Sequence, residues 1–519
     1  MDLGLSLSIA TSGLHGIDSE LAVTSENVSN SGTDGYVKET AVVSSVVAGK
    51  VGTGVSVGNT TLSLSAGLQK ALYSQNAKVS ALTTMDNSLA SLSAVQGTTT
   101  SDSTDTDTDD TTGTLSDSLQ RVASAITSLS ATPTNTAAQS GVISGAETLT
   151  SQINTLSSVY DTQRQTAENH IASNVSDVNS SLTTIGEISK KIMLLTAAGQ
   201  DTADLQNQRL EAMDSLSQKL DVTFNTSSNG DVTVHTTNGT LLPTRPDQIG
   251  LSDSNTELPS SSWPLTYAAN TISSSMYYKE GDTSGGISGI MLNGQDVTSD
   301  LSGGSLGANI TLRDTTYPKM QAQLDSFSYT LIKRFDNAGT PLFTNGTSSP
   351  LSSDTTKTTP NGIVGLSSVI SVNQDYVKNP SLLTTDSKGN TGVITGLTNI
   401  LGEAFGTSSD DTSGSLSSPT SGLGPSGDLA TGYTGNQGLS ELATSLTTDQ
   451  AATISNTSAD LSIESTVKTT LSTKVSSVSG VDVNSQISEI VALQSAYTAN
   501  AKIVTAVQSM FSELLDAVN

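Results

Sequence analysis

Aspartates in the tract 98–114 have the spacing in this sequence that comes closest to metal chemistry. Asp105, Asp107 and Asp109 repeat the start of a calcium-binding loop. That loop needs a glycine at its sixth position and a glutamate at its twelfth, but Asp110 and Ser116 stand there. The tract contains no apolar residue that could join a core. We therefore expect a solvated acidic loop and no metal site.

Other residue types that commonly carry catalysis give no motif either. His15, His170 and His235 are far apart in the sequence and match no metal-ligand spacing. The chain has no cysteine, so it can form neither a disulfide framework nor a thiolate zinc site. No GxSxG motif occurs in a strand–turn–helix context. We therefore expect no cofactor and no enzymatic activity.

Composition points to an elongated protein with much surface. Only 34% of the 519 residues are hydrophobic and 3% are aromatic, which is little apolar material for a compact enzyme. The net charge of −27 argues against nucleic acid and anionic membranes, which need clustered Lys and Arg. No stretch approaches the roughly 18 apolar residues of a membrane span. The start, Met1-Asp2-Leu3, lacks the basic residues of a cleavable signal peptide.

The last stretch of the chain, 481–519, has the clearest periodicity. Steps of three and four residues connect Val483, Ile487, Ile490, Gln494, Tyr497, Ala501, Val504, Gln508, Phe511, Leu515 and Val518. All but the two glutamines are apolar or aromatic, which is typical of a coiled-coil seam. A helix over 484–515 would be about 48 Å long at 1.5 Å per residue. Since such a helix is only marginally stable alone, we expect it to pack against a partner.

A similar seam occurs at the other terminus. Its positions are Leu3, Leu7, Ala10, Leu14, Ile17, Leu21 and Val28. We predict that the two terminal helices pair and carry the rest of the chain as an insertion. Periodicity alone does not separate this arrangement from two ordinary core helices of a bundle.

Between the termini, helical spacing alternates with a region of period two. No proline occurs between Pro133 and Pro243, which favours long packed helices. From Asp221 the period is two, and Asn229-Gly230 is a typical hairpin turn. The predicted fold class is mainly α with a β part: terminal coiled-coil helices, an elongated helical bundle and an inserted β-hairpin region. The predicted segments are 1–50 (axial helix and extended segment, paired with the C-terminus), 51–220 (bundle), 221–312 (hairpins), 313–340 (return helix), 341–440 (loops, short strands and a Gly/Ser-rich stretch), 441–478 (bundle helix) and 479–519 (C-terminal axial helix).

Short motifs at both ends resemble those of a known family. Ser25–Asn30 and Thr33–Tyr36 resemble the N-terminal signature of the flagellar axial proteins, and Ala496–Ala506 resembles their C-terminal signature. Asp204–Leu210 is similar to an internal motif of the hook-associated junction proteins within that family.

The resemblance implies a structural subunit of the bacterial flagellum that connects the hook to the filament. It implies the hook protein and a second junction protein as neighbours, and self-association in a ring or helical layer. It also implies a cytosolic export chaperone on the C-terminal helix and secretion by the flagellar export apparatus. The alternatives are another axial protein, of the hook or rod, and a secreted coiled-coil adhesin or translocator.

The predicted assembly interface is the apolar face of the two terminal helices. Its residues are Leu3, Leu7, Leu14, Ile17, Leu21, Ile487, Ile490, Tyr497, Val504, Phe511, Leu515 and Val518.

Overall fold

The computed structural model describes residues 3–33, 35–49, 51–97, 113–252, 257–346, 363–406 and 417–518. Asp105, Asp107 and Asp109, the start of the calcium-like loop, lie outside these residues. So do parts of the predicted loop segment 341–440.

The chain begins with a long helix followed by a β-hairpin. Helix α1 spans Leu3–Ser29 and ends within a polar stretch rich in Asn, Ser and Gly that begins at Asn27. Strands β1 (Glu39–Ala48) and β2 (Val51–Leu62) pair antiparallel. The extended segment expected after the axial helix is therefore a two-stranded hairpin, whose second strand lies within the segment 51–220 predicted to be bundle.

Four helices follow and form most of the bundle. They are α2 (Ala66–Gln96), α3 (Leu115–Ala131), α4 (Thr136–Ala197) and α5 (Ala203–Lys219). The N-terminus of α3 has a capping box: the Thr114 side chain accepts a hydrogen bond from the Asp117 backbone N–H, and the Asp117 side chain accepts one from the Thr114 backbone N–H. Most of the proline-free stretch after Pro133 is a single 62-residue helix, α4.

Small sheets pack beside the bundle. One consists of β3 (Val222–Thr226), β4 (Val232–Thr236) and β5 (Leu241–Leu242); a second consists of β6 (Leu265–Thr266), β7 (Met291–Leu292) and β8 (Gln295–Asp296). The predicted turn at Asn229-Gly230 joins β3 to β4. This strand region ends at β8, earlier than the predicted residue 312, because 304–311 form the helix α6 (Gly304–Thr311), on which Leu306 and Ile310, one turn apart, pack against the core. A π-helical turn then leads into α7 (Tyr317–Asn337).

The chain after α7 first forms short elements and then two long helices. The short ones are β9 (Phe343–Thr344), α8 (Leu366–Val369), β10 (Ser371–Val372), α9 (Gln374–Lys378) and α10 (Thr395–Asn399). They are packed rather than loose, since Ile370, Leu397 and Leu423 are fully buried. Helix α11 (Leu439–Ser479) returns along the bundle, and α12 (Val483–Val518) follows it.

Two apolar cores divide the interior, and α4 belongs to both. Its residues from Val142 to Ala167 pack with α3, α7 and the start of α11. Its residues from Ile171 to Ile185 pack with α5 and the two three-stranded sheets. No helix in the described ranges is long and apolar enough to cross a membrane.

Candidate assembly surface

The two terminal helices pair with each other in the folded chain. The Asn27 side chain donates a hydrogen bond to Gln486 Oε1 at 3.0 Å. Farther along, Gly13 lies opposite Asn500, where a Cβ on the glycine would be 3.7 Å from Asn500 Oδ1. Because residue 27 meets residue 486 and residue 13 meets residue 500, α1 and α12 are antiparallel. In this alignment the turns of α12 after Met510 extend beyond Leu3, the first described residue.

One side of α12 faces α1. Gln486 and Val507 are buried there, and Ile490, Leu493 and Val504 between them are half-buried. Ile490 and Val504 of the predicted interface thus lie on the side of α12 that is packed against α1.

Other predicted residues of α12 point to solvent. The exposed fraction is 49% for Ile487, 41% for Tyr497, 36% for Phe511 and 63% for Leu515. The side chain of Val518 is outside the described part of the chain. The single stripe expected from the sequence is therefore split between a covered side and an open side.

On α1, the predicted residues are more evenly covered. Ile17 is buried, while Leu3, Leu7, Leu14 and Leu21 are half-buried.

The hairpin of β1 and β2 covers a second side of α1. Gly16 lies against the side chains of Val43 and Val55, and the Val55 N–H donates to Ser12 Oγ at 3.1 Å. The helix pair and the hairpin, residues 3–62 and 483–518, are called the terminal module below.

The open apolar surface of the terminal module is larger than the sequence predicts. Its exposed members on α12 are Val483, Ile487, Val491, Tyr497, Ile503, Met510, Phe511, Leu514 and Leu515; those on the hairpin are Val42, Val46, Val47, Val51 and Val57. A period of 3.5 residues selects one face of a helix, so the sequence pattern does not include Ile503 and Leu514. The hairpin valines lie on strands, where a helical period does not apply. Large exposed apolar side chains gathered on one part of a protein commonly mark an interaction surface.

Three carboxyl groups meet where the terminal module joins the bundle. Oxygens of Glu26, Glu39 and Asp204 lie within 4.8 Å of one another. Burial, followed by the nearby Asp204 charge, raises the pKa of Glu39 to about 7. Burial and a hydrogen bond with Asp204 also raise the pKa of Glu26. Oxygen ligands of this kind suit hard cations, but the cluster alone does not establish a metal site.

Comparison with known families agrees with this architecture. The flagellar hook-associated protein FlgK helical domain matches residues 101–349. The C-terminal domain of the flagellar basal body rod proteins FlgEFG matches residues 474–517, which include all but the end of α12. A helical bundle with this C-terminal helix defines the chain as a flagellar axial protein. The bundle match is to the hook-associated type, and together the two matches support assignment of the chain to the FlgK family.

Similarity to individual proteins is lower. No curated protein matches the chain. Among solved structures, the flagellar hook junction protein FlgK from Burkholderia pseudomallei is 19% identical, with a TM-score of 0.39. That match covers 54% of this chain and 45% of the other, so it spans less than half of that protein's length.

Proposed function

We propose that this chain is a structural subunit that connects the flagellar hook to the filament. One observation carries the proposal: α1 and α12 form a pair that still leaves nine large apolar side chains of α12 exposed. In a chain of net charge −27, such a surface is suited to a permanent neighbour. The matches to a hook-associated helical domain and to an axial C-terminal domain support the choice of neighbour.

Assembly in this proposal is driven by covering the open face of α12. Full burial of a Leu, Ile or Phe side chain contributes about 1.5–3 kcal/mol, so Ile487, Phe511 and Leu515 alone give a substantial driving force. The neighbours are the hook protein on one side and a second junction protein on the other. Copies of this chain associate with one another in a ring or helical layer.

Before assembly, the same face needs a temporary partner. The turns of α12 after Met510 have no α1 residue opposite them among the described residues, and Leu514 and Leu515 there are 55% and 63% exposed. A cytosolic export chaperone that binds an amphipathic helix in a groove would cover them. The chain then leaves the cell through the flagellar export apparatus and becomes part of the extracellular flagellum.

A hook or rod protein is the nearest alternative, because the C-terminal match is to the rod-protein family. The 62-residue α4 and the match of 101–349 to the hook-associated helical domain favour the junction role. No residue arrangement in the described chain points to catalysis, and we propose a purely structural role.

Deletion of the gene in its own bacterium tests the proposal. We expect electron micrographs of the deletion strain to show complete hooks without filaments, and the parent gene on a plasmid to restore the filaments. Normal filaments in the deletion strain would refute the junction role. A strain that lacks hooks as well would indicate a hook or rod protein instead.

A further inference from the structure

A three-residue segment of the terminal module lies directly against the bundle. Val37–Glu39, called the coupling segment here, follows the turn after α1 and includes the first residue of β1. Val37 and Glu39 are 4% and 3% exposed. The segment therefore lies inside the joint, where its backbone groups need partners.

Asn27 binds the coupling segment from the terminal side. Its Nδ2 donates to the Glu39 carbonyl at 2.8 Å, and its Oδ1 accepts from the Glu39 N–H at 2.8 Å. The same Nδ2 also donates to Gln486 on α12. A carboxamide offers a donor and an acceptor side by side, as a neighbouring strand does, so one side chain joins α1, β1 and α12. Asn27 is 1% exposed, so water does not compete for these bonds.

Asn207 binds the segment in the same way from the bundle. Its Oδ1 accepts from the Val37 N–H at 3.0 Å, and its Nδ2 donates to the Val37 carbonyl at 3.2 Å. Nδ2 also donates to Glu39 Oε1 at 2.8 Å. Between these two positions, the Lys38 N–H donates to the carbonyl of Ser479, the last residue of α11, at 2.7 Å.

Each of the three backbone N–H groups is thus held by a different helix: α5, α11 and α1 in chain order. Without these hydrogen bonds, rotation about the backbone bonds of Val37–Glu39 would let the segment act as a hinge. We propose that the coupling segment is a rigid coupling that fixes the angle between the terminal module and the bundle, with Asn27 and Asn207 as its positioning residues.

The use of this coupling rests on the proposed function. A subunit in a rotating axial structure carries load from its terminal helices to its bundle, and a fixed joint passes that load on while a free hinge does not. The coupling itself is a property of the free chain, so it can be tested without flagella.

The absence of cysteine makes the test direct, since two introduced cysteines carry the only spin labels. We choose Ser495→Cys on α12 and Ser173→Cys on α4, both exposed positions. Double electron–electron resonance on the full chain should give one narrow distance distribution. Asn207→Ala, which leaves the α1–α12 pair untouched, should broaden the distribution by about twofold or more, and Asn27→Ala should do the same.

Asn500→Ala is the matched control. This asparagine is also in the terminal module, but its Nδ2 bonds only to the Ala496 carbonyl of its own helix at 3.3 Å. We expect the parent distribution in that variant, and circular dichroism should give parent helix content in all three. A parent distribution in Asn207→Ala and in the Asn27→Ala/Asn207→Ala double variant would overturn the coupling. Failure of the junction role would appear separately, as normal filaments in the deletion strain.

Discussion

At the scale of single residues, Glu39 gives the joint a pH dependence. Its pKa is about 7 in the folded chain, against an ordinary value of 4.5, because it is buried and close to Asp204. A carboxyl group with a raised pKa binds its proton more tightly in the folded state. Its contribution to stability is therefore fully present below about pH 4.5 and is lost as the pH rises through 7.

We expect the terminal module to unfold more easily at pH 8 than at pH 5. Hydrogen exchange of α1 measured at both values, after correction for intrinsic rates, should show less protection at pH 8. Glu39→Gln, which carries no titrating proton, should reduce that difference, and Asp18→Asn on the exposed side of α1 should not. An unchanged difference in Glu39→Gln would assign the pH dependence to other groups.

Phe511 tests the open face of α12. At 36% exposure it is held by few neighbours, so Phe511→Asp should change the free energy of unfolding by no more than about 0.5 kcal/mol. On an assembled surface the same charge would be desolvated at a cost of several kcal/mol. The variant should therefore fold, lose binding to the chaperone and fail to restore motility in the deletion strain.

Ser509→Asp adds the same charge to α12 two residues away, on a different side of the helix, and should restore motility. Swimming at the parent rate by Phe511→Asp would mean that this face does not take part in assembly.

At the scale of elements, Gly186 is a point of direct contact between α4 and the loop that contains Thr244. A Cβ at Gly186 would lie 2.1 Å from the Thr244 carbonyl oxygen, which is backbone and cannot turn aside. The loop is itself fixed, since Arg245 pairs with Asp231 at 2.7 Å and with Asp247 at 3.0 Å. The helix and the loop must therefore separate if the glycine is replaced.

We expect Gly186→Ala to lower the free energy of unfolding by about 1–3 kcal/mol, as overpacking typically does. Gly141 on the same helix has no atom of the described residues within 4 Å of its Cβ position, so Gly141→Ala should instead gain up to about 1 kcal/mol from helix propensity. Urea denaturation followed by circular dichroism measures both. Equal effects of the two substitutions would show that the contact at Gly186 is not tight.

The helices could be predicted from the sequence because their apolar spacing extends over many turns. Leu182 and Ile185, which are three residues apart and so on one face of α4, are both fully buried. The elements between Phe343 and Asn399 could not be predicted, since strands and helices of two to five residues are too short to show a period.

The assembly surface was predictable only in part. Periodicity places Ile490 and Phe511 on one seam, yet Ile490 is half-buried on the side of α12 that faces α1, while Phe511 is 36% exposed. That division depends on how α1 and α12 are aligned, which the Asn27–Gln486 contact fixes across 459 residues of sequence. The coupling segment has no local signal either, because Asn207 is 170 residues from Val37.

At the scale of the whole molecule, the chain has a well-packed interior and a thinly packed terminal module. Helix α4 runs through both apolar cores, and Ile171, Val178, Leu182 and Ile185 on it are fully buried. By contrast, Gln486 and Val507 are the only buried residues of α12 whose side chains the structure describes. Local opening is easiest where few apolar contacts must be broken, so the two regions should differ in stability.

Hydrogen exchange of the free chain should reveal this difference. We expect slow exchange over 171–192, faster exchange over 3–28 and 484–510, and the fastest after Met510, where the side chains of Leu514 and Leu515 are more than half exposed. On assembly the open face of α12 becomes covered, so the protection of 484–518 should rise while that of 171–192 stays constant. Exchange that is equally slow over α4 and α12 in the free chain would mean that the terminal helices are already stable alone and need no neighbour.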